Sequence, residues 1–143
     1  RLCFYGSGSH KSYLEKLACE KIPSNQFRFY GYVKNKVEIF QNISILIHPS
    51  FSEGTSRAVL EALSAHVMVI HRRIKGADEL INQGINGYLF ENNKSLSKYI
   101  CNSIKILKEK QIPRNDIEYF LPHQYRLENF RQSFSKLAKD FNL

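Results

Sequence analysis

One stretch decides the fold of this chain: residues 43–63, which read ISILIHPSFSEGTSRAVLEAL. Its first five residues form a nearly continuous apolar run, the pattern expected of a strand that is covered on both faces in a parallel sheet. Pro49 ends the run, and a loop rich in small polar residues follows at 50–56. An apolar helix then begins near Ala58 and continues to Ala65. The stretch therefore predicts a central strand, a polar loop and the start of a helix.

The junction between this loop and helix has the features of a ligand site. In an open parallel sheet, ligands bind outside the carboxyl ends of the strands, and the unpaired N–H groups at a helix N-terminus favour an anion. Two carboxylates flank that point, because Glu53 lies just before the helix and Glu61 lies within it, with seven residues between them. The sequence thus predicts an anion site with an acidic side chain on each side.

The spacing of these two acids, Glu-x7-Glu within Pro-Ser-x-x-Glu-Gly, resembles the signature of the large family of retaining glycosyltransferases with two facing Rossmann-like domains. Residues 75–81 (KGADELI) and 82–90 (NQGINGYLF) are similar to two further blocks of that family. There the signature lies in the C-terminal, donor-binding domain. The resemblance implies an α/β fold over residues 1–143, a single Rossmann-like domain with a doubly wound parallel sheet that lacks its first strand and helix.

The resemblance also implies roles for the residues around the loop. It makes Glu53 the catalytic residue, whose carboxylate binds hydroxyls of the donor sugar and orients the sugar toward the acceptor. Glu61 would accept hydrogen bonds from the ribose hydroxyls, and backbone amides with the Arg57 side chain would bind the diphosphate. Alternatively, Arg57 and Glu61 form an ordinary ion pair on a solvated helix. The implied donor-binding residues of this segment are Gly54, Thr55, Ser56, Arg57 and Glu61.

Two earlier segments carry weaker signals for the same site. Gly6 and Gly8 form a Gly-x-Gly turn after a strand, where backbone can approach a ligand closely, although a plain strand-to-helix turn would look the same. Tyr32 and Val33 begin a loop that in the resembled family receives the nucleotide base. Tyr32 is equally consistent with a packed loop aromatic, which is the interpretation that we favour for it.

Composition limits the partners of the chain. The net charge is +8, which suits nucleotide diphosphates, lipid headgroups or nucleic acid, or else a Lys-rich solvated surface. Nucleic acid is disfavoured because the aromatic residues fall at core spacings and are not interleaved with Lys and Arg. His48, His66 and His71 lack the spacing of a helical metal site, so we predict no metal. The resemblance likewise implies no metal and no cofactor, with a nucleotide-diphosphate sugar as the donor substrate.

Three cysteines without a Cys-x-x-Cys spacing favour a reducing compartment, so we predict a cytoplasmic location. The resemblance leaves association with the inner face of the cell membrane open, and it implies a missing N-terminal acceptor domain as a partner. The leading interpretation is therefore the donor-binding part of a glycosyltransferase that acts on a polysaccharide or lipid-linked acceptor. A non-catalytic nucleotide-binding or interaction module is the alternative.

The rest of the chain predicts alternating strands and helices. A helix is expected over Lys11–Lys21, a short helix at 35–42 with Val37 facing inward, and another helix at 76–83. Two C-terminal helices are expected at about 94–110 and 124–141. His66 stands where the resembled family usually has Gly after the signature helix, at a position that often needs the left-handed conformation.

Overall fold

A computed structural model describes residues 1–54 and 56–109 as an alternation of strands and helices, which confirms the α/β prediction. The chain divides into two compact units, residues 1–39 and 40–143. The single-domain expectation stays a prediction. The elements in chain order are β1 (Leu2–Tyr5), α1 (Lys11–Lys21), a 3-10 turn (Ser24–Gln26), β2 (Phe27–Gly31), α2 (Lys36–Asn42), β3 (Ile45–His48), α3 (Arg57–Ser64), β4 (Met68–Arg72), α4 (Ala77–Leu80), β5 (Gly87–Phe90) and α5 (Asn93–Glu109).

The first unit is a pair of parallel strands with one helix. Strands β1 and β2 pair in parallel, and the ring of Phe4 stacks on that of Phe29 at 4.2 Å between centroids. Helix α1 has the predicted bounds, and Ala18 is its buried residue. Ile22 is extended because it precedes Pro23, which disfavours helical backbone in the residue before it. The helix therefore ends where the sequence predicted.

The second unit is built around a parallel sheet in the order β3-β4-β5. Strand β4 lies in the middle, and its residues Met68, Val69 and Ile70 have no exposed surface. Within the described residues, β3 lies at the sheet edge and all four of its residues are half-buried. The prediction that the strand after Ile43 is central and covered on both faces is therefore wrong for this sheet, because a middle strand needs a neighbour on each side.

Helix α3 packs an apolar face on this sheet. Val59, Ala62 and Leu63 are fully buried in the core, and burial of each large apolar side chain contributes about 1.5–3 kcal/mol. The helix ends in a Schellman motif, in which the N–H of Val67 donates to the Ala62 carbonyl and the N–H of His66 to the Leu63 carbonyl. His66 has φ 57°, so the expected left-handed residue is confirmed.

Helix α4 is shorter than the predicted helix at 76–83, because a buried side chain takes the backbone groups that would extend it. The N–H of Asn82 donates to Asn86 Oδ1 at 2.7 Å, and Asn86 Nδ2 donates to the Leu80 carbonyl at 3.0 Å. Gly87 then enters β5 with no room for a side chain, since a Cβ there would lie 1.9 Å from the Val69 carbonyl oxygen. This turn is therefore fixed by packing.

Two other helix predictions have different outcomes. Helix α2 begins one residue after the predicted start, and Val37 is 60% exposed, so its inward orientation is wrong. Helix α5 confirms the helix expected at about 94–110 over its described part. The helix expected at 124–141 lies outside the described residues. Within the described part of the chain, no helix combines the length and apolar character that crossing a bilayer requires.

Candidate functional site

Two histidines meet at the carboxyl ends of the neighbouring strands β3 and β4. His48 and His71 are register partners in the parallel pair, and their ring centroids lie 4.7 Å apart with the planes tilted by 45°. The carboxyl ends of parallel strands are the usual position of ligand sites in α/β folds. The histidines therefore mark the edge of the sheet where a ligand is expected.

His71 is held in its neutral form. Its Nδ1 lies 2.6 Å from the Arg72 carbonyl oxygen, which can only accept, so Nδ1 carries the proton and donates it. Burial lowers the pKa of His71 because the charged ring would lose its hydration; the Arg72 carbonyl opposes this effect, nearby His48 adds to it, and Glu53 opposes it. His71 therefore supports the site as a buried, uncharged side chain and adds no positive charge to it.

The loop after β3 is fastened to the sheet by Arg72. The Nε–H of Arg72 donates to the Pro49 carbonyl at 3.0 Å. Its guanidinium lies over the ring of Phe51, 4.0 Å from the centroid, and over the ring of Phe90 at 4.9 Å. Cation–π contacts of this kind add to the hydrogen bond. One side chain thus connects the loop to two strands of the sheet.

Glu53 lies in this loop with its carboxylate facing His48. Glu53 Oε1 is 3.4 Å from His48 Nε2, and the two side chains are 34% and 13% exposed. The carboxylate is therefore held on one side by the protein and remains accessible to solvent on the other. A carboxylate in this position can accept hydrogen bonds from the hydroxyl groups of a bound ligand.

The N-terminus of helix α3 lacks the usual side-chain cap. Ser56 occupies the N-cap position in an extended conformation, but its side chain makes no capping hydrogen bond. The Ser56 hydroxyl instead lies 3.2 Å from His48 Nε2. The first amides of a helix carry partial positive charge and favour anions when no side chain caps them. This helix start is therefore suited to a phosphate group.

The remaining predicted residues of this segment lie on or beside α3. Arg57 is the first helical residue and is exposed, Glu61 is half-buried one turn further on, and Gly54 is exposed in the loop. The structure thus brings Glu53, Ser56 and the start of the helix together. Thr55 lies outside the described residues. Binding of a donor by any of these residues is not tested by this geometry and stays a prediction.

The other predicted site residues belong to the unit formed by residues 1–39. Gly6 has φ 121° and donates its N–H to the Gly31 carbonyl at 2.7 Å. The Gly-x-Gly turn therefore begins with a glycine of positive φ directly after β1. Gly8 is exposed and Val33 is half-buried. Tyr32 is 75% exposed, which contradicts its interpretation as a packed aromatic. The donor-binding role of these four residues stays a prediction.

Sequence reasoning missed three residues that organise the site: His48, His71 and Arg72. It considered the histidines only as metal ligands, and among residues 1–54 and 56–109 no group of three or more His, Cys, Asp or Glu side chains is arranged to hold a metal. The available signal was position, because His48 ends one strand and His71 with Arg72 ends the next. Polar residues at the ends of consecutive parallel strands converge on one sheet edge.

Comparison with known proteins agrees with this architecture. The family model described as glycosyl transferases group 1 matches residues 1–120. The chain is also 30% identical over 102 residues to alpha-monoglucosyldiacylglycerol synthase of Acholeplasma laidlawii, an alignment that covers 70% of this chain and 26% of that protein. The chain therefore spans about a quarter of the length of this relative.

Two solved structures share the fold. The lipopolysaccharide outer core galactosyltransferase WaaB, in its apo form, has a TM-score of 0.72 at 23% identity, over 95% of this chain and 41% of that one. Anabaena HepE in complex with UDP has a TM-score of 0.72 at 18% identity, over 96% of this chain and 40% of that one. At these identities the likeness concerns the fold, while the family match covers most of the sequence. This chain belongs to the group 1 glycosyltransferases.

Proposed function

We propose that this chain is the donor-binding part of a retaining glycosyltransferase that uses a uridine-diphosphate sugar. The observation that carries the proposal is the uncapped start of α3, with the Glu53 carboxylate beside it. A pyrophosphate is the anion that such a helix terminus favours. The HepE structure of similar fold contains UDP, which supports uracil as the base.

The proposed roles follow the position of each group. The diphosphate lies against the first amides of α3, and the exposed guanidinium of Arg57 adds a charge that can contact two phosphate oxygens. These groups stabilise the negative charge that grows on the leaving diphosphate as the sugar–phosphate bond breaks. Glu53 binds the sugar hydroxyls, and Glu61 binds the ribose hydroxyls. The acceptor hydroxyl then bonds through its oxygen to the anomeric carbon on the face that the diphosphate has left, and its proton passes to an oxygen of the departing phosphate.

The acceptor is proposed to bind outside this chain. Because the chain spans about a quarter to two-fifths of the relatives and structures described above, we assign the acceptor to an N-terminal domain in the complete protein. The name of the Acholeplasma relative describes synthesis of a glycolipid, and the net charge of +8 favours an anionic membrane surface. We therefore propose a lipid-linked or polysaccharide acceptor that is reached at the membrane face.

The proposal is tested by donor binding and transfer in the complete protein, with upstream sequence included where the reading frame contains it. Calorimetric titration is expected to show saturable binding of UDP, and of one sugar among UDP-glucose, UDP-galactose and UDP-N-acetylglucosamine. Glu53→Gln is expected to lower the transfer rate at least about a hundredfold, since positioning of the reacting sugar is lost, while the affinity for UDP stays within about twofold.

Arg57→Gln separates the diphosphate contact from the sugar contact. It is expected to weaken UDP binding about tenfold, which is the loss of one charge-assisted contact. Arg73→Gln is the matched control, because Arg73 is exposed and forms an ion pair with Glu91 at 2.9 Å on the surface. Absence of saturable UDP binding, or full transfer activity in Glu53→Gln, would show that the proposed function is wrong.

A further inference from the structure

A single nitrogen of His48 lies between the two polar groups that define the site. His48 Nε2 is 3.4 Å from the Glu53 carboxylate and 3.2 Å from the Ser56 hydroxyl. The ring is 13% exposed and is packed against the ring of His71. Its orientation is therefore set by packing before any ligand binds. Neither the loop sequence nor the family signature assigns a function to this residue.

The other ring nitrogen indicates which tautomer is present. His48 Nδ1 is buried and makes no hydrogen bond within the described part of the chain. A buried N–H without an acceptor is costlier and rarer than a buried acceptor without a donor. The proton of the neutral ring is thus placed on Nε2, which lies 3.4 Å from the Glu53 carboxylate and 3.2 Å from the Ser56 hydroxyl oxygen. His48 can therefore donate to Glu53 while Nδ1 remains bare.

We propose that His48 is a positioning residue that presents the Glu53 carboxylate to the donor sugar. This inference rests on the proposed function, in which Glu53 binds sugar hydroxyls. An ionised carboxylate has about four acceptor positions, so one bond from His48 leaves the others available for hydroxyl groups. A Glu side chain that is already oriented loses less rotational freedom when the ligand binds. His48 thereby raises the affinity for the sugar without touching it.

The surroundings of His48 keep this geometry rigid. His48 is the last residue of β3 and is followed by Pro49, whose ring fixes its own backbone φ. The Pro49 carbonyl is bound by Arg72, and His71 packs on the imidazole. The distance between His48 and Glu53 is therefore determined by a fastened five-residue segment and does not depend on the diphosphate. For this reason a substitution of His48 should change the affinity for the sugar and leave the affinity for the diphosphate unchanged.

The test compares UDP with UDP-sugars in the complete protein. Calorimetry gives the ratio of the Kd for UDP to the Kd for UDP-glucose, UDP-galactose or UDP-N-acetylglucosamine, and the sugar with the largest ratio is used. His48→Leu is expected to reduce this ratio about tenfold and to change the Kd for UDP less than about twofold, because only the sugar contact depends on the oriented carboxylate. Thermal unfolding followed by circular dichroism verifies that each variant is folded.

His48→Gln is the matched variant that separates positioning from packing. The terminal amide of Gln can place an N–H close to the position of His48 Nε2, so at least about half of the ratio should be recovered. The proposal is overturned if the ratio is unchanged in His48→Leu, if UDP and UDP-sugar weaken by the same factor, or if Gln recovers nothing. Failure of the unmodified protein to bind UDP would instead refute the proposed function and this inference with it.

Discussion

The two ends of the three-stranded sheet are built for different purposes. At the carboxyl ends of β3 and β4, polar side chains hold a loop in place and leave the Glu53 carboxylate accessible. At the amino end of β5, Asn86 is 1% exposed and satisfies backbone groups on both sides of a turn. Gly87 then lies directly on the backbone of Val69. The carboxyl end of the sheet therefore exposes a polar functional group to solvent, whereas the amino end is tightly packed.

This contrast has a consequence for substitution. A substitution at the amino end either introduces a steric clash or removes a buried hydrogen bond that no other group replaces, so it should lower the stability of the fold. A change at the carboxyl end releases side chains into water, so it should act on binding and leave most of the stability intact.

The largest effect is expected for Gly87→Ala. The added Cβ would lie 1.9 Å from the Val69 carbonyl oxygen, which is backbone and cannot move without breaking the β4–β5 pairing. The free energy of unfolding should fall by about 4 kcal/mol or the protein should fail to fold. Urea unfolding measures this. Gly8→Ala is the control, because a Cβ at Gly8 meets no atom within 4 Å, and its cost should stay below about 1 kcal/mol.

Arg72→Met tests the opposite end of the sheet. The substitution keeps an apolar stem and removes the guanidinium that binds the Pro49 carbonyl and covers Phe51. The loop that carries Glu53 should become mobile, so the affinity for the UDP-sugar should fall about tenfold while unfolding changes by only about 1 kcal/mol. Arg73→Met, one residue along, should change neither. Equal losses of stability and affinity would contradict the division between the two ends.

His71 gives the same end a measurable dependence on pH. Burial lowers the pKa of His71 in the folded protein, so below about pH 6.5 the unfolded chain binds more protons and stability falls as the pH falls. The loss attributable to this residue is at most about 1.4 kcal/mol per pH unit. Urea unfolding at about pH 7.5 and 5.5 should show it.

His71→Asn is the control for that pH dependence. Its Nδ2 can still donate to the Arg72 carbonyl in place of His71 Nδ1, but the side chain does not titrate. The variant should therefore show a smaller loss of stability at low pH than the unmodified protein. An identical loss in both proteins would mean that His71 is not the titrating group.

The smallest effect is expected for His66→Gly at the end of α3. His66 has φ 57°, which glycine adopts without steric cost, so the free energy of unfolding should rise by about 0.5–1 kcal/mol. His66→Ala removes the same side chain but retains the Cβ, so the difference between the two variants isolates the backbone term. A lower stability of the Gly variant than of the Ala variant would contradict this account.

The sequence predicted the secondary structure better than the tertiary contacts of individual side chains. Apolar periodicity located α1 at both ends, and it placed the limits of α3 near Ala58 and at Ala65, each one residue after the observed limit. It could not show that β4 and not β3 is the fully buried strand, because both runs are apolar and pairing partners are not encoded in a periodicity. Nor could it find the contact of Ser56 with His48, which depends on how the loop returns to the strand end.

The missing cap of α3 has a consequence for how the proposed donor would be bound. Because the Ser56 hydroxyl lies against His48 Nε2 and caps no amide of the helix, the first turn of the helix lacks the internal acceptor that most helices supply. An incoming phosphate would complete that turn, so part of the binding energy would appear as added order in the helix itself. Amide hydrogens at the beginning of α3 should therefore exchange quickly in the empty protein and slow markedly when the nucleotide is bound.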